Sequence, residues 1–288
     1  MKSITPGFVS SPHPPEIAHR PPNCPPLEPG QSPSVGEGVG EYPSGMSFVL
    51  IRSLLISIPA SLGWTAVLVT FSILIQPLAS RDQQARLFRY WGRCMLWICR
   101  VRVRVSGLER LVPGQNYIFA SNHLSLLDSP ALVAHLPRAL CFLAKKELFS
   151  VPFMGWYLHR QGHIPIERSD PKATVRSLGE AARVIKNERK SLLSFPEGTR
   201  STDGQMLPFK EGTALLALRS GTPIVPVAVV GTERIMVAKS LEIRGGPVEI
   251  RIGQPIDVAG QDAKQRGELT ERLRREIEAL RGISTVTA

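Results

Sequence analysis

An uncharged run at residues 53–75, SLLISIPASLGWTAVLVTFSILI, constrains this chain more than any other feature. Its 23 residues exceed the roughly 20 that a helix needs to cross a bilayer. Pro59 and Gly63 interrupt it, as membrane helices tolerate. Two arrangements are open: one tilted span, or a bent, hairpin-like anchor dipping into one leaflet. The remaining alternative is the buried core helix of a soluble fold. Arginines follow at once, at Arg81, Arg86, Arg89, Arg93, Arg100, Arg102 and Arg104, whereas only Glu41 and Arg52 lie close upstream. By the positive-inside rule the C-terminal side faces the cytoplasm. The stretch RLFRYWGRCMLWI at 86–98 interleaves arginine with Phe88, Trp91 and Trp97. It suits a helix lying at headgroup level, or a basic surface helix packed on the domain.

Residues 1–45 have a different character. PHPPE, RPPNCPPLEPG and SPSVGEGVGEYPSG are dominated by proline and glycine and carry no apolar period. Such a segment buries too little surface to offset its ordering entropy, and disorder is expected. No apolar region follows Lys2, so it is not a signal peptide. Met46 opens the next region and is the expected start of the chain in the cell. Three parts follow: a disordered extension at 1–45, a membrane anchor with its basic helix at 46–100, and a catalytic domain at 101–288.

The net charge of +11 calls for an anionic partner, a phosphorylated substrate or acidic headgroups. No nucleic-acid-binding motif accompanies it, so nucleic acid is not expected. Cys24, Cys94, Cys99 and Cys141 form no CxxC pair and no zinc spacing, and are expected as free thiols of a reducing compartment.

From residue 101 the pattern is α/β. Candidate strands lie at 102–106, 117–121, 140–144, 162–166, 191–195, 224–230 and 248–252. Most are short apolar runs, as in strands covered on both faces. A helix at 171–190 carries Val175, Leu178, Ala182 and Ile185 on one stripe, opened by Ser169-Asp170-Pro171. A last helix near 262–281 carries Leu269, Leu273, Ile277 and Leu280.

Four segments bear chemistry. In SNHLSLLDSP (121–130), the five-residue separation of His123 and Asp128 would diverge on a continuous helix. Pro130, however, marks a helix start at Asp128 or Ser129. His123 then sits in the strand-to-helix turn, where Asp128 either reaches back to its imidazole or merely caps the helix. A carboxylate on one ring nitrogen leaves the other free as a base. In FPEGTRS (195–201), Gly198 allows close backbone approach to an anion that Arg200 grips, or the segment is an ordinary turn. GHIPIER (162–168) ends on Arg168, a surface arginine if taken alone, and GTPIVPV (221–227) enters an apolar strand.

In this order and spacing the four segments resemble the four blocks of the glycerolipid acyltransferase family, which includes the bacterial 1-acylglycerol-3-phosphate acyltransferases. Asn122, His123 and Asp128 stand where the family has NHxxxxD, and FPEGTRS matches its third block in full. Pro165 departs from the phenylalanine common in the second block but leaves Arg168 in place. AKKELFSVPFMGW (144–156) and PFKEGTALLA (208–217) are also similar to family text, and the resemblance covers about residues 85–255.

The expected fold is therefore α/β, with a mixed, mostly parallel sheet flanked by helices and an N-terminal membrane-anchoring helical segment. The resemblance implies acyl transfer to the sn-2 hydroxyl of 1-acyl-sn-glycerol 3-phosphate, giving phosphatidic acid for phospholipid synthesis. The donor is acyl-CoA or acyl carrier protein. His123 is the base and Asp128 its partner, and Asn122, Arg168, Glu197, Gly198, Thr199, Arg200 and Lys210 shape the acceptor's site. Glu197 would repel a phosphate, so it more plausibly fixes an arginine or a backbone amide. No metal, no cofactor and no acyl-enzyme are expected. The expected location is a membrane, the bacterial inner membrane, with the catalytic domain on its cytoplasmic side. The alternatives are another lysolipid or glycerol 3-phosphate as acceptor, a non-catalytic lipid-binding protein, or a lipid hydrolase. A hydrolase is disfavoured because no GxSxG elbow is present.

Overall fold

Seven strands form one sheet, in the order β1-β7-β6-β2-β5-β3-β4. They are β1 (Val101–Ser106), β2 (Ile118–Ser121), β3 (Leu140–Lys145), β4 (Ile164–Ile166), β5 (Ser191–Ser194), β6 (Ile224–Val230) and β7 (Gly246–Ile252). Every neighbouring pair is parallel except β6 and β7. The mixed, mostly parallel α/β architecture expected from the sequence is thus found. The structure, a computed structural model, describes residues 48–282 except 76, 138, 153, 168–169, 189, 202–203 and 237–239. The proline-rich extension at 1–45, Met46 and Arg168 lie outside the described residues.

Alternation along β2 puts Ile118 and Ala120 on one face and Tyr117 and Phe119 on the other. The first face is buried against α5 (Pro171–Glu188), α6 (Gly212–Ser220) and α7 (Arg266–Gly282), through Leu178, Ile185, Leu216, Leu273 and Ile277. The second is buried against α2 (Arg81–Ile98) and α3 (Asp128–His135), through Leu96, Ala131 and Leu132. Helices on both faces explain why the strands read as unbroken apolar runs. The strand expected from residue 162 begins two residues later, because Gly162 takes φ +76° to close α4 (Met154–Gln161). Pro165 is exposed on β4, an edge strand where a missing N–H is tolerated. Cys94, Cys99 and Cys141 are free thiols.

The apolar run forms one helix, α1 (Phe48–Ile75), long and apolar enough to cross a membrane. It continues without reversal through Pro59 and Gly63, so the bend of a hairpin-like anchor is absent. A π turn at Ser53–Ser57 precedes the proline, where an ordinary turn would press a carbonyl on its ring. Only 11% of its most apolar window is buried, which sets aside the soluble-core alternative. The helix is inside out: Ser53, Ser57, Ser61 and Ser72 are buried while Phe48, Leu55, Ile56, Leu62, Val67, Phe71 and Leu74 are exposed. Its hydroxyls serve the domain. The Ser53 hydroxyl accepts the Ile243 N–H at 2.8 Å, and Thr65 accepts the Trp91 indole N–H at 3.1 Å.

Helix α2 opens with a capping box of Ser80 and Gln83. Gly92 lets it approach α3 closely, since a Cβ there would lie 2.7 Å from the Pro130 carbonyl. Arg86, Tyr90, Arg93 and Trp97, spaced four, three and four, form an exposed stripe on the same helix. Tyr90 meets Trp64 of α1 edge-on at 5.9 Å. Packing on the domain and display of an arginine–aromatic face therefore coexist in one helix.

Candidate active site

Strand β2 is flanked by β6 and β5, and the segments leaving the C-terminal ends of these three strands converge. Crevices beyond the carboxyl ends of parallel strands are where α/β sheets bind ligands. β2 delivers Asn122 and His123, β5 delivers Phe195 to Ser201, and β6 delivers Thr232.

His123 leaves the strand and Asp128 starts α3, so the chain between them is a turn rather than a helix. Asp128 is fully buried and turns back: its Oδ2 lies 3.0 Å from His123 Nδ1. The same oxygen accepts the backbone N–H groups of Leu124 at 2.7 Å and Ser125 at 2.8 Å. Its Oδ1 accepts the Thr232 hydroxyl at 2.6 Å. A carboxylate that already takes two amide protons acts as acceptor, so Nδ1 of the imidazole donates to it, and in the neutral ring Nε2 is the accepting nitrogen. The His123 side chain retains 17% exposure.

The FPEGTRS turn grips His123 from three sides. Phe195 stacks on its ring, with centroids 4.0 Å apart and planes 17° from parallel. Glu197 Oε1 accepts the His123 N–H at 2.8 Å, and Ser201 N–H donates to the His123 carbonyl at 3.0 Å. Glu197 Oε2 accepts the Leu207 N–H at 3.0 Å. Burial pushes the Glu197 carboxyl above the usual carboxylate range, against the pull of these amides, of His123 and of Arg281.

The other expected site residues divide. Asn122 is fully buried, and its amide holds both polar groups of one residue: Oδ1 accepts the Val229 N–H at 2.8 Å and Nδ2 donates to the Val229 carbonyl at 2.9 Å. Glu197 is bound to two backbone amides, one of the roles expected of it, and the amide of Asn122 is occupied by Val229. Gly198, Thr199, Arg200 and Lys210 are exposed at the opening. Gly198 takes φ +73°, and a Cβ there would lie 2.9 Å from Lys210 Nζ, so an ammonium lies against the turn that carries Arg200. Among the described residues, no group of three His, Cys, Asp or Glu stands together for a metal. Thr232 and the stacking role of Phe195 were not anticipated. Nothing near Thr232 in the chain points to Asp128, 104 residues earlier.

The Acyltransferase family model matches residues 102–230. The 1-acyl-sn-glycerol-3-phosphate acyltransferase of Limnanthes douglasii is 37% identical over 166 residues, 58% of this chain and 58% of that protein. The chain therefore spans little more than half the length of that relative. The human 1-acyl-sn-glycerol-3-phosphate acyltransferase alpha is 28% identical, over 77% of this chain and 80% of that one. Among solved structures, the 1-acyl-sn-glycerophosphate acyltransferase PlsC of Thermotoga maritima superimposes with a TM-score of 0.65 at 27% identity, covering 81% of this chain and 97% of that one. The resemblance read from the four sequence blocks is borne out, and residues 102–230 form an Acyltransferase-family domain.

Proposed function

We propose that this chain is a membrane-bound 1-acyl-sn-glycerol-3-phosphate acyltransferase, with residues 46–100 as anchor and 101–288 as catalytic domain. The observation that carries this is the His123–Asp128 pair, 3.0 Å apart, gripped by the turn that carries the exposed Arg200. Nε2 takes the proton of the acceptor's sn-2 hydroxyl as its oxygen attacks the thioester carbonyl. The tetrahedral intermediate collapses with cleavage of the C–S bond, and the leaving thiolate takes the proton back from Nε2. The products are phosphatidic acid and the free thiol of coenzyme A or acyl carrier protein. Asp128 holds Nδ1–H throughout and stabilises the transient imidazolium. General-base catalysis of this kind supplies about 10²–10⁴-fold.

Arg200 and Lys210, with Arg168, Gly198 and Thr199, meet the acceptor's phosphate, because charge-assisted bonds to phosphate need exposed cationic donors at the opening. Asn122 and Glu197 serve the base instead. The outward apolar face of α1 and the adjoining stripe of Arg86, Tyr90, Arg93 and Trp97 keep the domain on the bilayer that holds acceptor and product. The arginines after α1 support a catalytic domain on the cytoplasmic side, and the proposed location is the bacterial inner membrane.

The test is transfer of labelled acyl groups from acyl-CoA, and in parallel from acyl carrier protein, to lysophosphatidic acid by isolated membranes. Wild type forms labelled phosphatidic acid, and His123→Ala loses at least about a hundredfold while staying folded and membrane-bound. Equal activity in the variant removes His123 as base. Product only with another lysolipid or glycerol 3-phosphate reassigns the acceptor, and no product with any acceptor leaves a lipid-binding protein.

A further inference from the structure

We propose that Thr232 is a positioning residue for the catalytic pair: its hydroxyl fixes the plane of the Asp128 carboxylate, and through it the imidazole of His123. Its effect on turnover rests on the acyltransferase function proposed above. Three donors converge on Oδ2 of Asp128, from His123, Leu124 and Ser125. Those bonds hold one end of the carboxylate. The last torsion of an aspartate is broad and roughly two-fold, so a group held at one oxygen can pivot. The Thr232 hydroxyl, 2.6 Å from Oδ1, holds the other end.

The fold delivers Thr232 through a chain of contacts that begins beside the base itself. β6 runs parallel to β2, with Val227 opposite Ser121. One residue on, Asn122 clamps both backbone groups of Val229 and fixes how far β6 extends past the sheet. Gly231 then turns the chain with φ +101°, at a point where a Cβ would lie 2.7 Å from the Pro247 carbonyl. Glu233 accepts the Gly231 N–H at 2.9 Å and holds that turn. Thr232 emerges fully buried with its hydroxyl on Asp128. Its β-branch limits χ1, and burial with the bond to Asp128 selects the rotamer. The arrangement also accounts for Asn122: it sets the register that brings Thr232 to Asp128.

Thr232→Val removes the hydroxyl and keeps the shape, whereas Thr232→Ser keeps the hydroxyl. Acyl-transfer kinetics and the rate at which diethyl pyrocarbonate modifies His123 are measured on both in native membranes. Peptide mapping follows the modification, with exposed His159 as internal reference. Thr232→Val is expected to lower kcat at least about tenfold, the scale of one hydrogen bond to a charged group, with KM within about twofold. His123 modification slows relative to His159, and Thr232→Ser restores both readouts. In an Asp128→Asn background the valine substitution adds no further loss. Should the valine variant not fold, Thr232→Cys, a weak donor, carries the same expectation. Unchanged kcat and reactivity in Thr232→Val, an equal loss in Thr232→Ser, or an additive loss on Asp128→Asn overturns the proposal. Absence of transfer by wild type overturns the acyltransferase function alone, because His123 reactivity still reads the link to Thr232.

Discussion

The backbone N–H of His123 donates to Glu197 Oε1 at 2.8 Å, across 74 residues of sequence. The glutamate of the FPEGTR turn is thereby a support for the base, and its second oxygen ties in the loop at Leu207. Glu197→Ala should leave both amides without their acceptor and cost about 1–3 kcal/mol for each that stays buried. Thermal unfolding checks the stability loss. Kinetics should give a fall in kcat larger than any rise in acceptor KM, and a rise in KM alone would return Glu197 to the acceptor.

Asp128→Asn tests the partner of the base. An amide offers a donor where the buried carboxylate now accepts from Leu124, Ser125, His123 and Thr232. The nitrogen opposes at least one of these donors, and the imidazole loses the tautomer that leaves Nε2 unprotonated. A kcat loss of about 10²–10⁴-fold is expected, with acceptor KM changed far less.

Arg200→Ala and Lys210→Ala should behave in the opposite way. Both side chains are exposed, and stability should stay within about 0.5 kcal/mol. Each charge-assisted bond to a phosphate is worth roughly 1.5–3 kcal/mol, so acceptor KM should rise about tenfold or more. An acceptor lacking the phosphate should show no such difference between wild type and variant.

His163 gives a pH dependence of stability. Burial, with Lys190 adding to it, pushes its imidazole down to about 4 from 6.5. Its Nδ1 accepts the Phe142 N–H at 3.2 Å, so the neutral form fits the site, and Lys190 is itself paired with Glu188. The unfolded chain binds this proton first as pH falls, so stability is lost from about pH 6.5 down to about pH 4, by on the order of 3 kcal/mol. Above pH 6.5 the group contributes no slope. Denaturant unfolding of wild type and His163→Gln across this window should show a shallower fall in the variant.

Helix α1 is legible from composition because the bilayer requires 20 or so apolar residues in sequence. Its inner face is not: buried Ser53, Ser57, Ser61 and Ser72 are polar, and only docking on the domain says which side they take. The strands were placed to within two residues because most strands of a doubly covered sheet are unbroken apolar runs. The two-residue shift at Gly162 came from a left-handed backbone angle that no periodicity reveals.

Five residues of spacing and a helix-starting proline put His123 and Asp128 in one local turn, and the resemblance to the family's NHxxxxD block made them the base and its partner. Glu197 and Thr232 follow other strands, and Asn122, though it adjoins His123, finds its partner Val229 on β6. The family resemblance put Asn122 and Glu197 at the acceptor's site, with Glu197 expected on an arginine or a backbone amide, and gave nothing for Thr232. Sequence by itself settles local chemistry: helix starts, apolar runs, and a base beside an acid. The parallel pairing of β2 with β5 and β6 settles the rest, because contacts across 74, 107 and 104 residues exist only once three strand ends are side by side.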